Sequence, residues 1–123
     1  MNKRKYLLLI ALIIGIDQFM KYILPFKVRN YGASFDILEN QNILLISISL
    51  IAFLLFLYLF LRTKENKFAL SLLIAGTISN LTDRIVLGYI VDYIPLPYLF
   101  TFNLADMANF IGVLILIKTL WKK

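Results

Sequence analysis

Proton transfer near neutral pH falls to carboxylates in this sequence, because its 123 residues include no histidine and no cysteine. The same absence excludes imidazole metal ligands, histidine-based triads, thiolate nucleophiles and disulfides. Asp17 and Lys21 are four positions apart, as are Asn80 and Arg84, so each pair shares a helical face. Asp83 adjoins Arg84, Asp92 follows an apolar run, and Asn103 and Asp106 stand at the start of another. Taken singly, each reads as a polar group satisfied by helix packing. Four aspartates gathered at one end of a bundle exceed what packing needs, and charges at the edge of membrane spans mark function by default.

The elements that position these groups are membrane helices. Hydrophobic residues make up 61% of the chain and charged residues 16%, with a mean hydropathy of +0.83. A water-soluble domain this small buries only about two thirds of its surface, so much of that apolar material would stay exposed. About 20 apolar residues cross the hydrocarbon core as a helix, and four such runs occur, near 6–24, 43–61, 68–87 and 105–121. The expected fold is a single all-α integral-membrane domain, 1–123, with four transmembrane helices. A polar stretch at 25–42 forms a small extracytoplasmic segment after helix 1, with room for a short β-hairpin.

Orientation follows from the lysine and arginine distribution. Lys3, Arg4, Lys5, Arg62, Lys64, Lys67, Lys118, Lys122 and Lys123 cluster at one end with Glu65 alone against them. That end, with both termini, is assigned to the cytoplasm. The other end carries Lys21, Lys27, Arg29 and Arg84 with all six remaining acids. The net charge of +6 is therefore mainly a topology signal, and nucleic acid is not an expected partner. The basic start and apolar run are read as a retained helix and not a cleaved signal peptide, since Asp17 interrupts the run and no small-x-small site follows.

Read in order, Asp17-Gln18-x-x-Lys21, Asn30-x-Gly32-Ala33-x-Phe35, Gly76-x-x-x-Asn80-x-x-Asp83-Arg84, Val91-Asp92-Tyr93 and Phe102-Asn103-x-Ala105-Asp106 resemble the motif series of the lipoprotein signal peptidase family, also called signal peptidase II. The resemblance touches all four spans. It implies an aspartyl endopeptidase in the bacterial cytoplasmic (inner) membrane, working near the outer leaflet, that removes signal peptides just before a lipid-modified cysteine. It implies Asp92 and Asp106 as the catalytic pair, Asn30 and Arg84 as holders of the substrate backbone, Asn80 and Asn103 as supports of the pair, and Asp83 as a partner for a neighbouring cation. Gly32 and Gly76 are expected where backbones approach closely. No metal and no cofactor is expected; the partners are a lipid-modified prolipoprotein and membrane lipids, and the chain is expected to act as a monomer.

The chemistry of such a pair stands on its own physics. Two carboxylates a few ångströms apart cannot both ionise easily, so one pKa rises and they share a proton. One member then takes a proton from water while the other donates to the scissile carbonyl. Asp17 and Lys21 are assigned a structural ion pair, and Tyr93, Tyr98 and Trp121 the role of interfacial anchors.

The sequence departs from the family pattern in three places. Only eight residues separate Lys21 from Asn30, which predicts a reduced cradle over the membrane surface. Ser79 replaces a usual glycine and Ser34 a usual alanine. Two other readings compete: a small four-helix proton-coupled transporter, and an inactive family-like membrane protein. A transporter site belongs near the bilayer midplane, whereas these carboxylates lie at the helix ends.

Overall fold

The computed structural model describes residues 2–33 and 37–123. The chain runs α1 (Lys3–Ile23), β1 (Val28–Asn30), α2 (Asn42–Arg62), α3 (Lys67–Val86), β2 (Ile90–Asp92), β3 (Ile94–Leu96), β4 (Phe100–Phe102) and α4 (Leu104–Trp121). All four helices are long and apolar enough to cross a membrane. At about 1.5 Å per residue, 18 to 21 residues span roughly the thickness of the hydrocarbon core.

Burial separates α3 from the rest. It packs against each of the other helices, and 78% of its most apolar window is buried, against 17% or less for the others. That explains its composition: Ala69, Ser71, Ala75, Gly76 and Ser79 keep its surface narrow enough for three neighbours. A β-carbon on Gly76 would run into the Ala105 carbonyl and the Asn109 side chain, and one on Gly112 would come within 2.8 Å of Leu73. Gly76 brings α3 against the first turns of α4 beside Asp106, and Gly112 keeps the two helices close further along, against Ala69 and Leu73. The outward faces of α1, α2 and α4 present Leu, Ile and Phe, as lipid contact demands.

Four short strands cap one end of this bundle, so the fold is mainly helical and not purely so. The strand that follows helix 1 does not form a hairpin within its own segment. β1 instead pairs antiparallel with β2, with Val28 opposite Asp92 and Asn30 opposite Ile90. Further along this segment, the Asn40 N–H donates to Tyr31 O at 3.1 Å and the Ala33 N–H to Ile37 O at 2.7 Å. The hairpin of the fold is β3–β4, around the turn at 97–99.

The third helix ends at Val86, as its span of 68–87 predicts, although the sequence stays apolar to Val91. The Leu87 and Gly88 amides turn back onto the Asp83 and Arg84 carbonyls at 2.7 and 3.1 Å, and Gly88 adopts φ +84°. This glycine-dependent helix stop frees Ile90-Val91-Asp92 to become a buried strand.

Candidate active site

Asp106 is held by the start of its own helix. Asn103 is the N-cap of α4; its Oδ1 accepts from the Asp106 N–H at 2.8 Å, and Asp106 Oδ2 accepts in return from the Asn103 N–H at 3.1 Å. This reciprocal capping box fixes the carboxylate within the first turn of α4. The other oxygen, Oδ1, accepts from Asn80 Nδ2 on α3 at 2.9 Å.

Asp92 ends β2, and the same asparagine orients it. Asn103 Nδ2, fully buried, lies 3.0 Å from Asp92 Oδ1, 3.0 Å from Asn80 Oδ1 and 3.1 Å from the Val91 carbonyl. Asn103 therefore holds both carboxylates, one through its side chain and one through its backbone. Burial, then the nearby Asp106 charge, pushes Asp92 up from the ordinary 3.8 to about 7, while a hydrogen bond from the Asn30 side chain pulls the other way.

Both aspartates face one cavity of about 500 Å³, whose polar wall includes Asn30, Asn80 and Arg84, with Arg29, Thr77 and Asn109 beside them. Ile48, Ser49 and Ala52 of α2 and Phe100, Thr101 and Phe102 of β4 supply much of the remaining wall. The Arg84 guanidinium reaches Ser49 Oγ at 3.1 Å and the Gly32 carbonyl at 3.4 Å, which ties α3 to α2 and to the segment that follows β1. Asn30 Oδ1 is engaged by the Gly32 N–H at 3.0 Å. The expected set thus converges, with Gly32 bracing Arg84 from behind. Asp83 stands apart and lines a different cavity. Ser34, Phe35 and Asp36 lie outside the described residues.

Beneath the cavity lies a second polar layer, wider than an Asp17–Lys21 pair. Lys21 Nζ sits 2.7 Å from Asp17, 2.9 Å from Asp83 and 3.1 Å from Asn80 Oδ1. Its three protons meet three acceptors, and the charge is buried among carboxylates that offset it. Asp83 also accepts from Gln18 Nε2 at 3.0 Å and from the Val91 N–H at 3.1 Å. Asp17, with no exposed surface, accepts from Ser79 Oγ at 2.6 Å, Tyr93 Oη at 2.6 Å and the Leu104 N–H at 3.1 Å.

Three residues therefore carry more than their sequence positions implied. Tyr93 is not an interfacial anchor: it is 5% exposed, and burial together with its bond to Asp17 raises its pKa. Tyr98 and Trp121, by contrast, are exposed. Ser79, noted only as a replacement for glycine, donates to Asp17 and accepts from Gln18 at 3.0 Å. Asn109 was not singled out, yet it lines the cavity one turn beyond Asp106, and its Oδ1 is buried without a hydrogen-bond partner. Its signal was a polar residue in an apolar run, spaced i,i+3 from Asp106.

A family model described as signal peptidase (SPase) II matches residues 9–122. A lipoprotein signal peptidase of Caldicellulosiruptor bescii is 43% identical over 91 residues, covering 72% of this chain and 61% of that protein. The lipoprotein signal peptidase of Buchnera aphidicola subsp. Schizaphis graminum is 40% identical over 76% of this chain and 67% of its own. That of Streptococcus pyogenes serotype M6 is 30% identical over 100% of this chain and 97% of its own. A bacterial membrane enzyme solved by the in meso method at 2.3 Å superposes with a TM-score of 0.90 at 27% identity, over 98% of this chain and 89% of that one. The family match, the relatives and the shared four-helix fold agree with the residues gathered at the cavity: this chain belongs to the signal peptidase II family.

Proposed function

We infer that this protein is a membrane-embedded aspartyl endopeptidase that removes the signal peptide from lipid-modified prolipoproteins, cutting just before the diacylglyceryl-cysteine. The observation that carries the reading is that Asp92 and Asp106 face one cavity and are both held by Asn103. Supporting it, Asp92 is pushed up to about 7, so it is suited to hold the proton the pair shares near neutral pH.

In this mechanism Asp106 removes a proton from a water molecule placed between the carboxyls, and the water oxygen bonds to the scissile carbonyl carbon. Asp92 gives its proton to the carbonyl oxygen, forming a neutral tetrahedral diol. The proton held by Asp106 then passes to the peptide nitrogen, a diol hydroxyl returns its proton to Asp92, and the C–N bond breaks. The products are a new carboxyl on the signal peptide and a free amine on the lipidated cysteine. Arg84 and Asn30 hold backbone carbonyls of the extended substrate, and Asn80 and Asn103 keep the carboxyls aligned.

The lysine and arginine asymmetry supports cytoplasmic termini, with the carboxylates near the outer leaflet of the bacterial cytoplasmic membrane. One copy of the chain contains every residue this reading needs. Incubating the purified protein in lipid with a diacylglyceryl-modified prolipoprotein tests it by product mass. Release of an intact signal peptide with cysteine as the new N-terminus supports the reading; cleavage at another bond, or none, removes it.

A further inference from the structure

A second cavity of about 520 Å³ lies across β1 from the first, at the level where α1 and α3 end. Its lining includes Lys21, Lys27, Arg29, Asp83, Tyr22 and Tyr89. Three cations thus face one carboxylate, and that carboxylate is fully engaged: Asp83 Oδ1 takes Gln18, and Oδ2 takes Lys21 and the Val91 N–H. Lys21 is also committed to the buried polar layer. The two outer cations differ. Among the described residues, Lys27 Nζ hydrogen-bonds to the Tyr22 carbonyl at 3.0 Å, and the Arg29 guanidinium lies 5.0 Å from the Tyr89 ring centroid with a bond to Tyr31. Neither pairs with a carboxylate among the described residues.

The surroundings select the kind of ligand. The rim is apolar and outward-facing: Tyr22 is 82% exposed, and Ile23, Phe26 and Leu87 each about half. These belong to, or directly follow, helices that cross the membrane. A cavity at the helix ends with cations at its mouth and lipid-facing apolar side chains beside it matches an amphiphile whose headgroup is negative. We propose that Lys27 and Arg29 bind the headgroup phosphate of an anionic membrane phospholipid in this cavity, with its acyl chains running down the outer face of α1. A zwitterionic lipid offers the same phosphate but brings its own cation to the site, so the two exposed positive charges discriminate between lipids by net charge.

The test counts phospholipid retained by the full chain, by native mass spectrometry, after purification from vesicles of equal phosphatidylglycerol and phosphatidylcholine. Lys27→Gln/Arg29→Gln is compared with wild type and with Lys122→Gln/Lys123→Gln, which removes two cations at the far end. The proposal expects wild type and the far-end variant to retain phosphatidylglycerol selectively, and the Lys27/Arg29 variant to lose that selectivity by about tenfold or more. Matching retention in all three proteins overturns it, as does equal retention of the two lipids by wild type. Full displacement of the lipid by inorganic phosphate also overturns it, because the site would then read the phosphate alone. Unchanged thermal unfolding of the Lys27/Arg29 variant in detergent shows that loss of lipid is not loss of fold. Should that variant unfold, Lys27→Gln alone, which removes a single exposed side chain bonded to the Tyr22 carbonyl, carries the same comparison.

Discussion

Asn103 and Asp106 cap one another, each accepting the other's backbone N–H, at 2.8 and 3.1 Å. The motif that starts a helix thus also aims a carboxylate. Because the Asn103 side-chain amide simultaneously reaches Asp92 at 3.0 Å, one residue sets the geometry of both acids, Asp92 through its side chain and Asp106 through its backbone N–H.

Asn103→Ala removes the cap and the link to Asp92 together. Loss of the cap costs about 1 kcal/mol of stability, a modest fall in thermal midpoint. The cleavage rate falls much further, by roughly a hundredfold, because Asp92 loses its side-chain tether and the uncapped first turn of α4 no longer fixes Asp106. Parallel unfolding and cleavage assays separate the two effects; a rate loss no larger than the stability change explains would count against the positioning role.

Lys21→Met leaves Asp17 and Asp83 buried without their shared cation. Breaking a buried ion network from one side costs about 3–5 kcal/mol. The expected outcome is a large drop in thermal midpoint in detergent, exceeding that of Lys67→Met at the opposite end of α3. Equal midpoints for the two variants would show that the network is not what holds α1 to α3.

Asp92 binds its proton more tightly folded, at about 7, than at the ordinary 3.8. A carboxyl whose folded pKa is raised contributes stability that is fully present below about 4 and lost as pH rises through about 7. Thermal midpoints of wild type should therefore fall relative to Asp92→Asn between pH 4 and 8. The cleavage rate of wild type should decline above about pH 7 as the shared proton leaves. A rate that keeps rising to pH 9 would assign the proton elsewhere.

Gly76→Ala inserts a methyl group where the Ala105 carbonyl and the Asn109 amide already sit. Overpacking of this kind costs about 1–3 kcal/mol, and relief requires α4 to move away from α3, carrying Asp106 with it. Both thermal midpoint and cleavage rate should drop. Gly15→Ala, where the added carbon meets nothing within 4 Å, should leave both unchanged.

Hydropathy marked the four helices to within a few residues at each end, because membrane spans need length and apolarity and little else. The aspartates and asparagines around the cavity were legible for a related reason: polar residues at apolar helix ends are costly and so stand out. Pairing across distance was not legible. Val28 meets Asp92 only because Gly88 stops α3 and turns Ile90–Asp92 into a strand, and three residues carry no register signal of their own. The reach of Lys21 to α3, and the buried hydroxyls of Ser79 and Tyr93 on Asp17, depend on helix rotation, which a near-continuous apolar pattern does not encode.

The central claim is that Asp92 and Asp106 work as one catalytic pair. The most direct test measures cleavage of a diacylglyceryl-modified prolipoprotein by purified wild type, Asp92→Asn and Asp106→Asn, with folding checked by thermal unfolding. The account predicts that wild type cuts and that each folded variant loses at least about a thousandfold in rate. Retention of cleavage by either folded variant would contradict it.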